Sequence, residues 1–164
     1  MATLDTLVEN ESLVKIEVDL DVGVLPWRCL YGTPEFITWL DQILPNIVTT
    51  VVGGDIEPEE QVDAIFNEFV SGKAMSFDRR FKKLSATPET YVWEFKTLDI
   101  RIFGWVPKCD HFICTFGDMK DTIEVYRRYG RYVAQTIYFR TNLDLDEPKF
   151  IASEEYANVL SDAP

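Results

Sequence analysis

Three runs of alternating apolar and polar residues follow one another between residues 91 and 116, and short turns separate them. In Tyr91–Thr97, the residues Tyr91, Trp93 and Phe95 oppose Val92, Glu94 and Lys96. In Asp99–Val106, Ile100, Ile102 and Gly104 oppose Arg101, Phe103 and Trp105, and Phe112–Phe116 follows. A period of two puts successive side chains on opposite faces of a strand. Connections as short as Leu98-Asp99 and Pro107 to Asp110 suit antiparallel hairpins and leave no room for a crossover helix. The fold must therefore contain an antiparallel meander with two distinct faces.

The rest of the chain supplies helices to cover it. Residues 1–12 read as a loosely ordered lead-in. Val14, Ile16, Val18, Leu20 and Val22 alternate with Lys15, Glu17, Asp19 and Asp21, which predicts an N-terminal strand. Thr33-Pro34-Glu35 combines a capping hydroxyl, a proline at the first helical position and an acid in the first turn. The helix it opens carries Phe36, Ile37, Leu40, Ile43 and Leu44 on one face and stops before Pro45. Pro58-Glu59-Glu60 opens a second helix, with Val62, Ile65, Phe66, Phe69 and Val70 inward and Gly72 as its C-terminal glycine. A basic connector, Ser76 to Leu84, leads into the meander. A long helix is predicted over residues 121–141, and a short one over Glu154–Leu160. The expected class is α+β, in which an N-terminal strand and two helices pack on a small antiparallel sheet and a C-terminal helix follows. One domain is expected over 13–141, with 142–164 as an acidic C-terminal extension.

Charge is distributed unevenly along this order. Residues 1–70 hold 14 Asp and Glu against 2 Lys and Arg. Residues 71–140 hold 8 acids and 13 bases, and residues 141–164 hold 6 acids and 1 base. The formal net charge of −12 thus conceals a basic middle, which is where a polyanion would bind. The sequence has a single histidine, His111, and no phosphate-binding glycine loop or nucleophile elbow. Cys29, Cys109 and Cys114 are scattered, and a Cys109/His111/Cys114 set lacks a fourth ligand of the usual kind, so neither a metal nor a cofactor is expected. No apolar run reaches membrane-span length, so no membrane partner is expected. The first ten residues carry two acids and no base, unlike a secretory signal, which makes the cytoplasm the expected compartment.

Within the basic middle the text reads Phe81-Lys82-Lys83-Leu84, then Tyr91-Val92-Trp93-Glu94-Phe95-Lys96, then Asp99-Ile100-Arg101-Ile102-Phe103-Gly104-Trp105. With the apolar run Phe112 to Gly117 and the strand–helix–helix–strand order before it, this stretch resembles the RelE/ParE/HigB superfamily of bacterial toxins over roughly residues 62–126. The resemblance implies a toxin of a toxin–antitoxin system. It would be a metal-independent mRNA endoribonuclease acting with the ribosome, and its partners would be RNA and an antitoxin protein. Such cleavage needs a base for the 2′-hydroxyl, cations for the phosphorane and an acid for the leaving oxygen. The resemblance places these roles on Arg101, Lys120, Tyr126 and Lys83.

The residues themselves leave alternatives open. Arg101 suits phosphate, or pairs with Glu94 on the neighbouring strand. Lys82, Arg127, Arg128 and Arg131 suit RNA backbone, and the interleaved Tyr126, Tyr129 and Tyr132 suit bases. The same side chains also suit a solvated helix face, or pairing with the acidic N-terminal half. A second reading is a non-enzymatic acidic binding protein. Its ridge of Asp55, Glu57, Glu59, Glu60, Asp63 and Glu68 would mimic DNA or cover a basic partner, as a phage inhibitor of host defence or an immunity protein does. A third is a member of the superfamily that keeps the fold for a structural role.

Overall fold

The structure is a computed structural model that describes residues 1–76, 79–84 and 89–164. Its strands are β1 (Val14–Lys15), β2 (Cys29–Gly32), β3 (Phe81–Lys83), β4 (Trp93–Lys96), β5 (Ile100–Trp105) and β6 (His111–Met119). Its helices are α1 (Leu4–Glu9), α2 (Pro34–Thr38), α3 (Pro58–Ser71), α4 (Lys120–Val125), α5 (Tyr129–Asn142) and α6 (Tyr156–Val159). The strands form one sheet in the order β1-β2-β6-β5-β4-β3.

The α+β class stands, and the sheet is mixed rather than antiparallel. β4 to β6 form the expected meander and β3 adds an unexpected antiparallel strand to β4, but β2 runs parallel to β6, with Leu30 beside Phe112. A parallel neighbour needs a long crossover, and the passage from β2 through α2 and α3 provides it. The helices also cover both faces of the sheet rather than one. On one side, Val62, Ile65, Phe66 and Phe69 of α3 meet Phe81, Phe95 and Phe112. The rings interlock there, with Phe69 and Phe95 centroids 5.3 Å apart and Phe81 stacked on Trp93 at 4.7 Å. On the other side, Tyr132 of α5 packs on Phe103 and Phe116, and Trp105 and Ile113 join Leu4, Leu7, Leu13 and Leu143. Each fully buried large apolar side chain contributes about 1.5–3 kcal/mol of transfer free energy.

Several elements depart from the sequence reading. The alternation over 14–22 yields a ladder only at Val14–Lys15. The inner strand is instead Cys29–Gly32, a short apolar run that ends at the Thr33 cap. The lead-in expected to be loose contains α1, whose first turn is capped by the Thr3 hydroxyl and whose Leu4 and Leu7 are buried. Helix α2 is followed by a single π turn, Trp39–Ile43, and a 3-10 turn that carries Pro45. The predicted long helix is two helices, because Arg127 adopts a left-handed conformation (φ 52°) that no helix continues through. Part of the basic connector becomes β3, and its Phe77 and Asp78 lie outside the described residues. The acidic C-terminal stretch folds back. Buried Arg28 donates to Ser161 O at 2.8 Å and Asp162 Oδ1 at 2.6 Å, and Val159 and Leu160 join the α3-side core. Gly104 is required where β5 slips register against β6, since a Cβ there would meet the Ile113 carbonyl and the Phe112 ring.

Candidate functional site

Strand alternation builds the site. Phe81, Phe95 and Ile102 are cross-strand partners on the α3 side, so their neighbours point the other way. Lys82 stands opposite Glu94, Lys96 opposite Arg101, and Arg101 opposite Asp118. Helices α4 and α5 cover this second face only in part. They leave a cleft of about 790 Å³ whose floor is Lys82, Glu94, Lys96 and Arg101. Lys120 and Glu124 stand along one wall, and Tyr129, Val133 and Ile137 form an apolar wall beside them. Four cations and two carboxylates thus converge on one concavity with apolar sides.

Arg101 is held from below. Only 6% exposed, it donates from Nη1 to Thr97 O at 2.6 Å and Ile100 O at 3.0 Å. Its Nε meets no acceptor among the described residues. A buried N–H without an acceptor carries a cost of about 1–3 kcal/mol. The turn that carries Thr97 is fixed in its place. Gln61 accepts from the Thr97 hydroxyl at 2.8 Å and donates to Asp99 Oδ2 at 2.7 Å. Asp99 also accepts from the Thr49 and Thr50 hydroxyls. Burial alone raises the Asp99 carboxyl, but the hydrogen bonds from Thr49, Gln61 and Thr50 outweigh it and hold its pKa below the usual value.

Tyr129 opens α5 beside Arg101. Burial raises its pKa, Glu94 and Glu124 push in the same direction, and Arg101 opposes them through charge and a hydrogen bond. The hydroxyl therefore stays protonated at neutral pH within reach of a carboxylate and a guanidinium. Lys120 starts α4, with its backbone N–H on Asp99 O at 2.7 Å and its Nζ 4.0 Å from Glu124.

The residues singled out in the sequence divide into two sets. Arg101, Lys120 and Lys82 come together in the cleft. Lys83 does not, because it faces the other side and pairs with Glu154. Tyr126 is 68% exposed, with the Arg128 guanidinium over its ring at 5.1 Å. Arg128 itself pairs with Asp118 at 3.0 Å, and Asp118 also accepts from Tyr132 at 2.6 Å. Arg127 and Arg131 are exposed and lie outside the cleft lining. The tyrosine in the cleft is Tyr129, three positions beyond the expected one. Glu94 and Lys96 were missed as site residues, although their parity across the hairpin is that of Arg101. His111 stacks on Tyr31 and is shifted down by burial, while Cys114 lies in the opposite core.

The acids of α3 have separate surroundings. Glu57 accepts from Thr49 N–H, Glu68 pairs with Arg80 at 3.0 Å, and Glu59 and Asp63 line a groove on the α3 side. Among the described residues, no helix is long and apolar enough to cross a membrane.

No model of a known protein family matches this chain. No curated protein and no solved structure matches it either.

Proposed function

We propose that the chain is an RNA-cleaving toxin of the RelE/HigB kind, with the cleft between β3–β5 and α5 as its site. The observation that carries this reading is that Lys82, Lys96, Arg101 and Lys120 line one cleft together with Glu94 and Tyr129. Cations on a strand-built floor meet phosphate, and an apolar wall with a tyrosine meets bases. The chemistry follows from these groups. Glu94 takes the proton of the 2′-hydroxyl as its oxygen attacks the adjacent phosphorus. Arg101 and Lys120 bear the charge that develops on the phosphorane. Tyr129, kept protonated by its surroundings, gives its proton to the departing 5′-oxygen. The products are a 2′,3′-cyclic phosphate and a 5′-hydroxyl end. On this reading Tyr129 takes the part that the resemblance gave to Tyr126, and Lys83 serves the fold.

The test is primer extension on mRNA in a translating extract that receives purified protein. New 5′ ends should appear with the intact chain and vanish with Glu94→Gln, while Lys120→Ala slows their appearance. Unbroken mRNA and undiminished translation at saturating protein would sink the proposal.

A further inference from the structure

The stretch after β1 is strand-like in sequence, yet among the described residues no strand pairs with it. Ile16 N–H donates to Leu30 O at 2.9 Å, and the ladder ends there. From Glu17 to Leu20, no backbone–backbone hydrogen bond reaches any described residue; one carbonyl, that of Asp19, accepts from the Asn67 side chain at 3.1 Å. The side chains still alternate. Ile16, Val18 and Leu20 pack against the α3-side core, while Glu17 and Asp19 are exposed. Between this run and helices α2 and α3 lies a groove of about 630 Å³. Its floor is apolar, with Leu40, Leu44 and Phe66, and its rim is acidic, with Asp41, Glu59 and Asp63 added to Glu17, Asp19 and Asp21. No Lys or Arg is among the described residues that line it. Burial, and then Glu60, raise the Asp63 carboxyl, as expected for an acid crowded by acids with no cation to offset them.

We propose that this groove takes an extended segment of a partner protein, in which Lys or Arg alternates with apolar residues, as an added strand on the backbone of Glu17–Leu20. An open edge offers main-chain donors and acceptors, and the pocket beside it selects side chains. A second copy of the chain is the wrong occupant. Edge-to-edge pairing would set Glu17, Asp19 and Asp21 against the same acids, and like charges directly opposite are destabilising. The surface lies on the α3 side of the sheet, away from the RNA cleft, and stands independently of what that cleft does.

The probe is a short fluorescent peptide that alternates valine and arginine, titrated into the full chain and read by anisotropy. Binding should weaken as salt rises. It should fall more than about tenfold, or by more than roughly 1.4 kcal/mol, when alternate peptide nitrogens are methylated, because that removes the strand's donors and leaves its charge unchanged. Asp19→Lys should weaken it by a similar factor. Hydrogen exchange at the Glu17–Leu20 amides should slow in the complex. The inference is overturned by equal binding of the methylated peptide or of a helical lysine–leucine peptide of the same charge. Self-association of the chain without peptide binding, or no binding at all, overturns it too.

Discussion

The two faces of β4 and β5 make an instructive pair. On the α3 face, Trp93, Phe95, Ile100 and Ile102 are fully buried in an apolar cluster, where the Trp93 indole N–H is a buried donor with no acceptor among the described residues. On the α5 face, one residue along in each case, Glu94 and Arg101 are almost equally buried, at 2% and 6% exposure, and Lys96 stands between them in register. The first face is a core that any well-packed apolar set would satisfy. The second puts charge where burial is costly, and leaves an opening beside it. A fold does not need that arrangement for stability, so the charged face is where function is to be sought. The same strand residues thus separate stability from chemistry by parity alone.

Substitutions on alternate residues should therefore behave differently. Trp93→Ala opens a large cavity under α3 and should cost about 3–5 kcal/mol, read as a lowered denaturation midpoint with any activity lost in parallel. Glu94→Gln, its neighbour, should lower that midpoint by less than Trp93→Ala does, and should lower cleavage by roughly 10²–10⁴-fold. If both variants lose stability equally, the contrast between the faces fails.

The turn that joins the two strands sharpens the comparison. Asp99→Asn turns one of the two carboxylate oxygens that accept from Thr49, Thr50 and Gln61 into an amide donor, and should cost about 1–3 kcal/mol. The Asp99 carboxyl has a lowered pKa in the fold, so its contribution is fully present above the ordinary aspartate range. It is lost as pH falls through the lowered value. Denaturant midpoints measured between neutral and acid pH should show a smaller acid-side loss in Asp99→Asn than in the native chain. The smallest effect belongs to the rim of the cleft. Lys120→Ala should weaken RNA binding without regard to sequence and reduce the salt slope by about one.

Much of this was legible before any coordinates. The alternation at 91–116 gave the meander and its two faces, and Thr33-Pro34 and Pro58-Glu59 gave the two helix starts. The parallel neighbour was not legible, since Cys29–Gly32 is too short to show a period and its pairing with β6 is purely tertiary. The loss of pairing after Lys15 was hidden for the converse reason: the local pattern for a strand is strong, and the missing partner is a fact about distant residues. In the site, Arg101, Lys82 and Lys120 are residues to which the resemblance points, and they do share a cleft. The resemblance points to Tyr126 through the Val125-Tyr126 pair, and nothing in the sequence marks the left-handed turn at Arg127, which re-aims the helix that follows it and brings Tyr129 to the cleft instead. Lys83 was grouped with Lys82 by adjacency, whereas strand geometry sends adjacent residues to opposite faces.

In the proposed reaction, phosphate enters the cleft and meets Arg101. The Nε–H resonance of this arginine, followed by NMR while a short single-stranded RNA is titrated into isotope-labelled protein, tests it most directly. Because Arg101 lines the cleft, its signal should move as RNA saturates, together with the amides of Lys96 and Tyr129. A still Arg101 signal, with the shifts confined to the exposed Arg127 and Arg131, would contradict the account.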